Sequence, residues 1–268
     1  MDRTTAALAS ILPALDTWLP LFVVAMARVG GLVLALPILR SRILPRTAKI
    51  TVVAGLSAGL VAATDPTPLV HIALGSPGAV AAAAAGELLF GLAVGFVVSL
   101  GIAAARIAGS IAGIDMGLSF SAVADPTSGG QSTAAAALYL QLAIQLFLAL
   151  GLDHATIRAL AAGLAKHPLG AAVTRPADFF DLVGLGGRVF EAGWRLALPV
   201  SAALLALKVA MAMLARVAPR LQIFNLAFAL SILTGLFVLR SALGGIAEAL
   251  AAHLRSFVEL AAMLAAGG

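Results

Sequence analysis

Polar residues along this chain come in short breaks between long apolar runs, and several of those runs are long enough to cross a bilayer. Trp18–Leu39 is the first and Ile50–Thr64 the second. Asp65-Pro66-Thr67-Pro68 and Ser76-Pro77-Gly78 then bracket a turn region. Ala79–Gly109 is the longest run. At about 1.5 Å per residue it outruns a hydrocarbon layer of about 30 Å, so it must tilt, bend or project. Ser110–Gln131 carries Asp115, Asp125-Pro126 and Gly129-Gly130 and reads as a loop or broken helix. Thr133–Leu152 is a further span, and His154–Gly193 is the most polar stretch. Trp194–Val217 and Phe224–Leu239 read as a hairpin around Pro219. In Ala247–Ala266, Glu248, Arg255 and Glu259 recur at helical spacing, which predicts a separate amphipathic helix.

Composition turns these runs into a statement about solvent. Hydrophobic residues make up 62% of the 268 positions and charged residues 11%, against about 45–50% and 25% in globular chains. Too few polar side chains remain to cover a water-soluble monomer. The absence of cysteine excludes disulfides, thiol catalysis and thiolate metal sites. The charge of +5 does not point to nucleic acid, because the basic residues form no face interleaved with aromatics. Their one dense cluster, Arg40, Arg42, Arg46 and Lys49, joins two apolar runs as a membrane-flanking loop. The N-terminal stretch, with Asp2 and Arg3 cancelling and Pro13 breaking Ala6–Leu15, is expected to stay in the mature chain.

Charges within the apolar runs need separate explanation. Arg28, Glu87, Arg106 and Lys208 lie inside or at the edge of such runs. Each would cost about 2.5–3.5 kcal/mol at a bilayer centre. They read as buried charges, either paired at contacts between helices and subunits or lining an ion path, and Arg28 is expected to pair with Glu87. The loops show no positive-inside bias, with basic residues divided evenly between the two sides. A standard serpentine would show one.

Two motifs compete with plainer readings. Gly55-Leu56-Ser57-Ala58-Gly59 matches the pattern of a hydrolase nucleophile elbow, which needs a strand-to-helix turn. No strand precedes it, so small residues easing helix approach are the favoured reading. Asp153-His154 lacks companions at ligand spacing and reads as a helix-end pair. No metal site and no cofactor are expected.

Gly109–Pro126, reading GSIAGIDMGLSFSAVADP, resembles the signature of the flagellar biosynthetic FliR family and its injectisome counterparts. Arg28-Val29-Gly30-Gly31, Leu36-Pro37, Pro45 before Lys49, Glu87 with Gly91 and Gly95, Leu198-Pro199 and Ala218–Phe224 extend the resemblance over nearly the whole chain. Asp115 and Arg220 depart from it, standing where the pattern more often has glutamine. The resemblance implies an all-α, membrane-associated fold of helical hairpins forming one export-gate subunit, residues 1–268. Residues 1–193 would be FliP-like and include a plug segment at 109–131; residues 194–268 would be a FliQ-like hairpin and tail. It implies no enzyme, but a single-copy subunit that forms, with FliP and FliQ, a channel for unfolded export substrates. FlhB and FlhA would be neighbours in the bacterial inner membrane, at the flagellar basal body and in contact with lipid. Gly113, Met116, Gly117, Leu118 and Phe120 are its plug candidates. Helices enclosed by protein would also explain the even loop charges. An injectisome subunit, a secondary transporter with paired broken helices and an intramembrane serine hydrolase using Ser57 and His154 are the competing readings.

Overall fold

The computed structural model describes residues 3–37, 45–63, 76–118, 133–170, 176–217 and 223–267. Every regular element among them is helical: α1 (Arg3–Ala35), α2 (Arg46–Ala62), α3 (Pro77–Asp115), α4 (Ala134–Ala149), α5 (Leu152–Ala162) with a 3₁₀ turn at Gly163–Ala165, α6 (Pro176–Val217) and α7 (Ile223–Ala266). The all-α expectation holds. Among the described residues four helices are long and apolar enough to cross a membrane, and α4 with α5 and its 3₁₀ turn form a pair, bent by 61°, that together is long and apolar enough for a fifth.

Local chemistry explains several boundaries. Ser76 accepts from the Ala79 amide at 3.2 Å, and Pro77 occupies the first turn of α3, where its missing N–H is no loss. Thr133 caps α4 by accepting from Ala136 N at 3.2 Å. Gly151, with φ of 65°, stands at the bend between α4 and α5.

Three expected boundaries are corrected. Ser110–Asp115 is helical and continues α3, because Ser110-Ile111-Ala112-Gly113 still presents small and apolar residues at helical spacing. The helix expected at Trp194 begins at Pro176, so α6 runs unbroken across Gly193 and Trp194. The break expected between Leu239 and Ala247 is absent: Gly244 and Gly245 lie within the single 44-residue α7, helical hydrogen bonding there outweighing the propensity cost of about 1 kcal/mol per glycine.

The chain divides into two compact units. The first comprises Met1–Ser99, Asp153–Leu182 and Val258–Gly268; the second comprises Leu100–Leu152 and Val183–Phe257. In the first, α1 packs on α2 and buries Leu21, Val24, Ala25, Val29, Leu32 and Leu36, a stripe spaced by three and four residues. In the second, the buried residues of α3 are chiefly small, among them Ala104, Ala105, Ala108 and Ala112. A Cβ on Gly109 would stand 2.5 Å from Ala136 Cα. Small residues here let helix backbones meet directly.

Candidate functional site

The first unit contains a fully enclosed ion pair. Arg28 on α1 and Glu87 on α3 are both 0% exposed. Arg28 Nε donates to Glu87 Oε2, and Arg28 Nη2 donates to Glu87 Oε1 at 3.0 Å. Two backbone groups complete the cluster. Nη2 also donates to the His167 carbonyl at 2.8 Å, and the Gly170 amide donates to Glu87 Oε1 at 2.8 Å. Phe90 lies under the guanidinium, 4.9 Å from centroid to Cζ, within cation–π range. Arg28 Nη1 is without a hydrogen-bond partner. Buried charges are tolerated when paired and hydrogen-bonded in this way.

The pair can form because the helices that carry it cross without side chains between them. A Cβ on Gly91 would overlap the Arg28 carbonyl oxygen, and one on Gly31 would overlap that of Leu88. Further along, a Cβ on Gly95 would come within 2.7 Å of Ala35 Cβ.

The second unit contains the glycine-rich turn. α3 stops through a Schellman arrangement. Gly117, with φ of 81°, occupies the left-handed position. The Leu118 amide donates to the Gly113 carbonyl at 2.9 Å, and that of Gly117 to Ile114 at 3.0 Å. Gly113 faces the Thr133 side chain with no room for a Cβ. Met116 is 1% exposed and fills the space over Gly235 of α7, where an added Cβ would lie 2.5 Å from Met116 Cε. Phe228 of α7 flanks Gly117. Asp115 accepts from Lys208 Nζ of α6 at 3.1 Å, the two side chains being 28% and 49% exposed.

Of the expected plug residues, Gly113, Met116, Gly117 and Leu118 thus share one turn, while Phe120 lies outside the described residues. Of the expected buried charges, Arg28 and Glu87 are buried together. Arg106 and Lys208 are exposed in the isolated chain, Lys208 meeting Asp115 across two helices. Arg106 stands on the outward stripe of α3 between Phe96 and Ile114, spaced by ten and eight residues, and Lys208 among exposed neighbours on α6. An apolar run does not reveal which helix face is covered when both faces are apolar.

Ser57 donates its hydroxyl to Val53 O of its own helix at 2.6 Å, as small helical serines do, and no strand precedes it among the described residues. His154 Nδ1 lies 3.0 Å from Asp153 Oδ1, with the imidazole exposed. Among the described residues no three of His, Asp and Glu converge as metal ligands. The His167 carbonyl, the Gly170 amide and Gly235 had no signal in the sequence, since backbone groups and distant small residues carry no motif.

Comparison with known proteins places this geometry. The profile of bacterial export proteins, family 1, matches residues 19–257. The flagellar biosynthetic protein FliR of Escherichia coli strain K12 is 33% identical over 221 residues, covering 82% of this chain and 83% of that protein. The protein of that name from Caulobacter vibrioides is 30% identical over 242 residues, covering 87% and 92%. That of Pectobacterium carotovorum is 36% identical over 153 residues, covering 57% and 59%. The family match spans both the Arg28–Glu87 crossing and the Met116 turn, and the chain belongs to bacterial export protein family 1, the family of FliR.

Proposed function

We propose that this chain is a single-copy subunit of the flagellar type III protein export gate in the bacterial inner membrane. There it forms, with FliP- and FliQ-type subunits, the channel for unfolded flagellar proteins, beside FlhB and FlhA. Its role is a seal rather than a reaction. Residues 1–193 serve as the FliP-like part and 194–268 as the FliQ-like part of a subunit that closes a ring of partners. Family membership over nearly the full length is the observation that carries this reading. Apolar helix faces support it: Leu205, Met213, Val217 and Phe237 are all more than 60% exposed, which suits lipid or partner subunits rather than water.

Within that gate, Gly113–Phe120 acts as the plug. The Met116 turn supports this reading. Methionine gives soft apolar closure able to repack, and the glycines let the backbone move. Two experiments test the proposal. Coexpression with the FliP- and FliQ-type proteins of the same organism, followed by native mass spectrometry, should yield a discrete complex holding one copy of this chain; a free chain beside unbound partners would refute the gate. Deletion of Gly113–Phe120 should leave that complex assembled but leaky to ions. Unchanged permeability would refute the plug alone.

A further inference from the structure

The second unit carries a groove that the export reading leaves unused. It has a volume of about 420 Å³ and lies between α4 and α7. Leucines from both helices line it, and three polar side chains, Gln141, Gln145 and Arg240, stand among them. All three are exposed. None has a hydrogen bond or ion pair with another described residue. A guanidinium and two amides set among leucines are costly wherever lipid rather than water covers them, and the described residues supply no partner.

We propose that this groove binds an anionic phospholipid, with Arg240, Gln141 and Gln145 donating to its phosphate and an acyl chain lying along the leucines. The donor chemistry selects an acceptor-rich anion: arginine offers only N–H groups and forks naturally onto phosphate. Position along α7 selects a lipid over a free anion. Arg240 is the first charge after the uncharged stretch Ile223–Leu239, about 26 Å of helix. That is close to the hydrocarbon thickness of about 30 Å and puts Arg240 at headgroup depth. An apolar wall beside the cation gives a bare phosphate ion nothing to bind.

The test uses the full-length protein with whatever subunits copurify, titrated in detergent with phosphatidylglycerol or phosphatidylcholine and read by native mass spectrometry. Phosphatidylglycerol should be retained about fivefold over phosphatidylcholine, the ratio one basic contact supplies. Arg240→Gln should abolish the preference and Arg240→Lys should keep most of it. If Arg240→Gln does not accumulate, the double variant Gln141→Leu/Gln145→Leu should weaken the preference instead. Equal retention of the two lipids, or a preference unchanged by every variant, overturns the proposal. So does displacement of the lipid by millimolar inorganic phosphate. A photocrosslinker at Leu243 in cells should capture lipid; capture of a neighbouring subunit alone assigns the groove to an acidic protein partner and likewise overturns it.

Discussion

The Gly31/Gly91 crossing and the Met116 turn both depend on glycine, an ion pair and close helix approach, yet they are built to opposite tolerances. At the crossing, backbone meets backbone, and the ion pair is sealed from solvent with two further hydrogen bonds from the His167–Gly170 segment. At the turn, the glycine of α7 meets a methionine side chain along its length, a Cβ there lying 2.5 Å from Met116 Cε and 2.6 Å from Cγ, with no backbone atom in the way, and the ion pair is partly open to solvent. A backbone atom cannot step aside for a new methyl group, whereas a thioether with three rotatable bonds can. The first region is therefore a fixed scaffold. The second is held by contacts that are individually cheaper to break, which suits the movable plug proposed for it.

This contrast is broken most directly at Gly91. Gly91→Val forces a branched side chain into the Arg28 carbonyl and should remove the folded protein from detergent extracts altogether, beyond the usual 1–3 kcal/mol of overpacking. Gly235→Ala, which displaces the Met116 side chain but meets no backbone atom, should lose far less folded protein. Comparable loss at both sites would erase the distinction between scaffold and closure. The next largest effect is expected at the buried pair. Glu87→Leu leaves Arg28 charged and alone and should cost about 3–5 kcal/mol, read as a collapse of thermal stability in detergent. Arg28→Met combined with Glu87→Leu should recover much of that loss, because the burial penalty of both charges disappears together.

How much of this was legible in the sequence depends on whether the signal was a residue or a face. Arg28 and Glu87 stood out because a charge in an apolar run demands a partner, while Gly91 entered only through the family resemblance. The same charge rule picked out Arg106 and Lys208, of which Lys208 meets Asp115 and Arg106 is exposed in the isolated chain. Their runs are apolar all round, so the covered face has no periodicity to betray it. The last two helical stretches read as separate elements, although a long helix absorbs the two glycines between them when its neighbours favour it. Met116 was visible as a candidate seal, but its resting place over Gly235 is more than a hundred residues distant and had no local cue.

Two smaller effects sharpen the picture of the turn. Gly117→Ala puts a side chain at a φ of 81° and should cost about 1–2 kcal/mol, seen as a lower melting temperature with the complex still formed. Lys208→Gln removes a pair that is half solvated and should change stability by no more than about 1 kcal/mol. Its effect on wild-type stability should itself fade at high salt. A larger loss, or one indifferent to salt, would mean that Lys208 and Asp115 belong to the scaffold after all.

The separation of Arg28 from Glu87 sets a clock on biosynthesis. The two residues are 59 positions apart, so at about 5–20 residues per second α1 leaves the ribosome some 3–12 s before its counter-ion. The Gly170 amide follows Glu87 by a further 83 positions. Throughout that interval Arg28 must hold its charge near the membrane surface by snorkelling, and α1 can reach its final depth only when α3 arrives to meet it. The order of synthesis thus keeps the first helix unsettled until the later one arrives, and slowing translation between the two should prolong the exposure of α1 to membrane proteases.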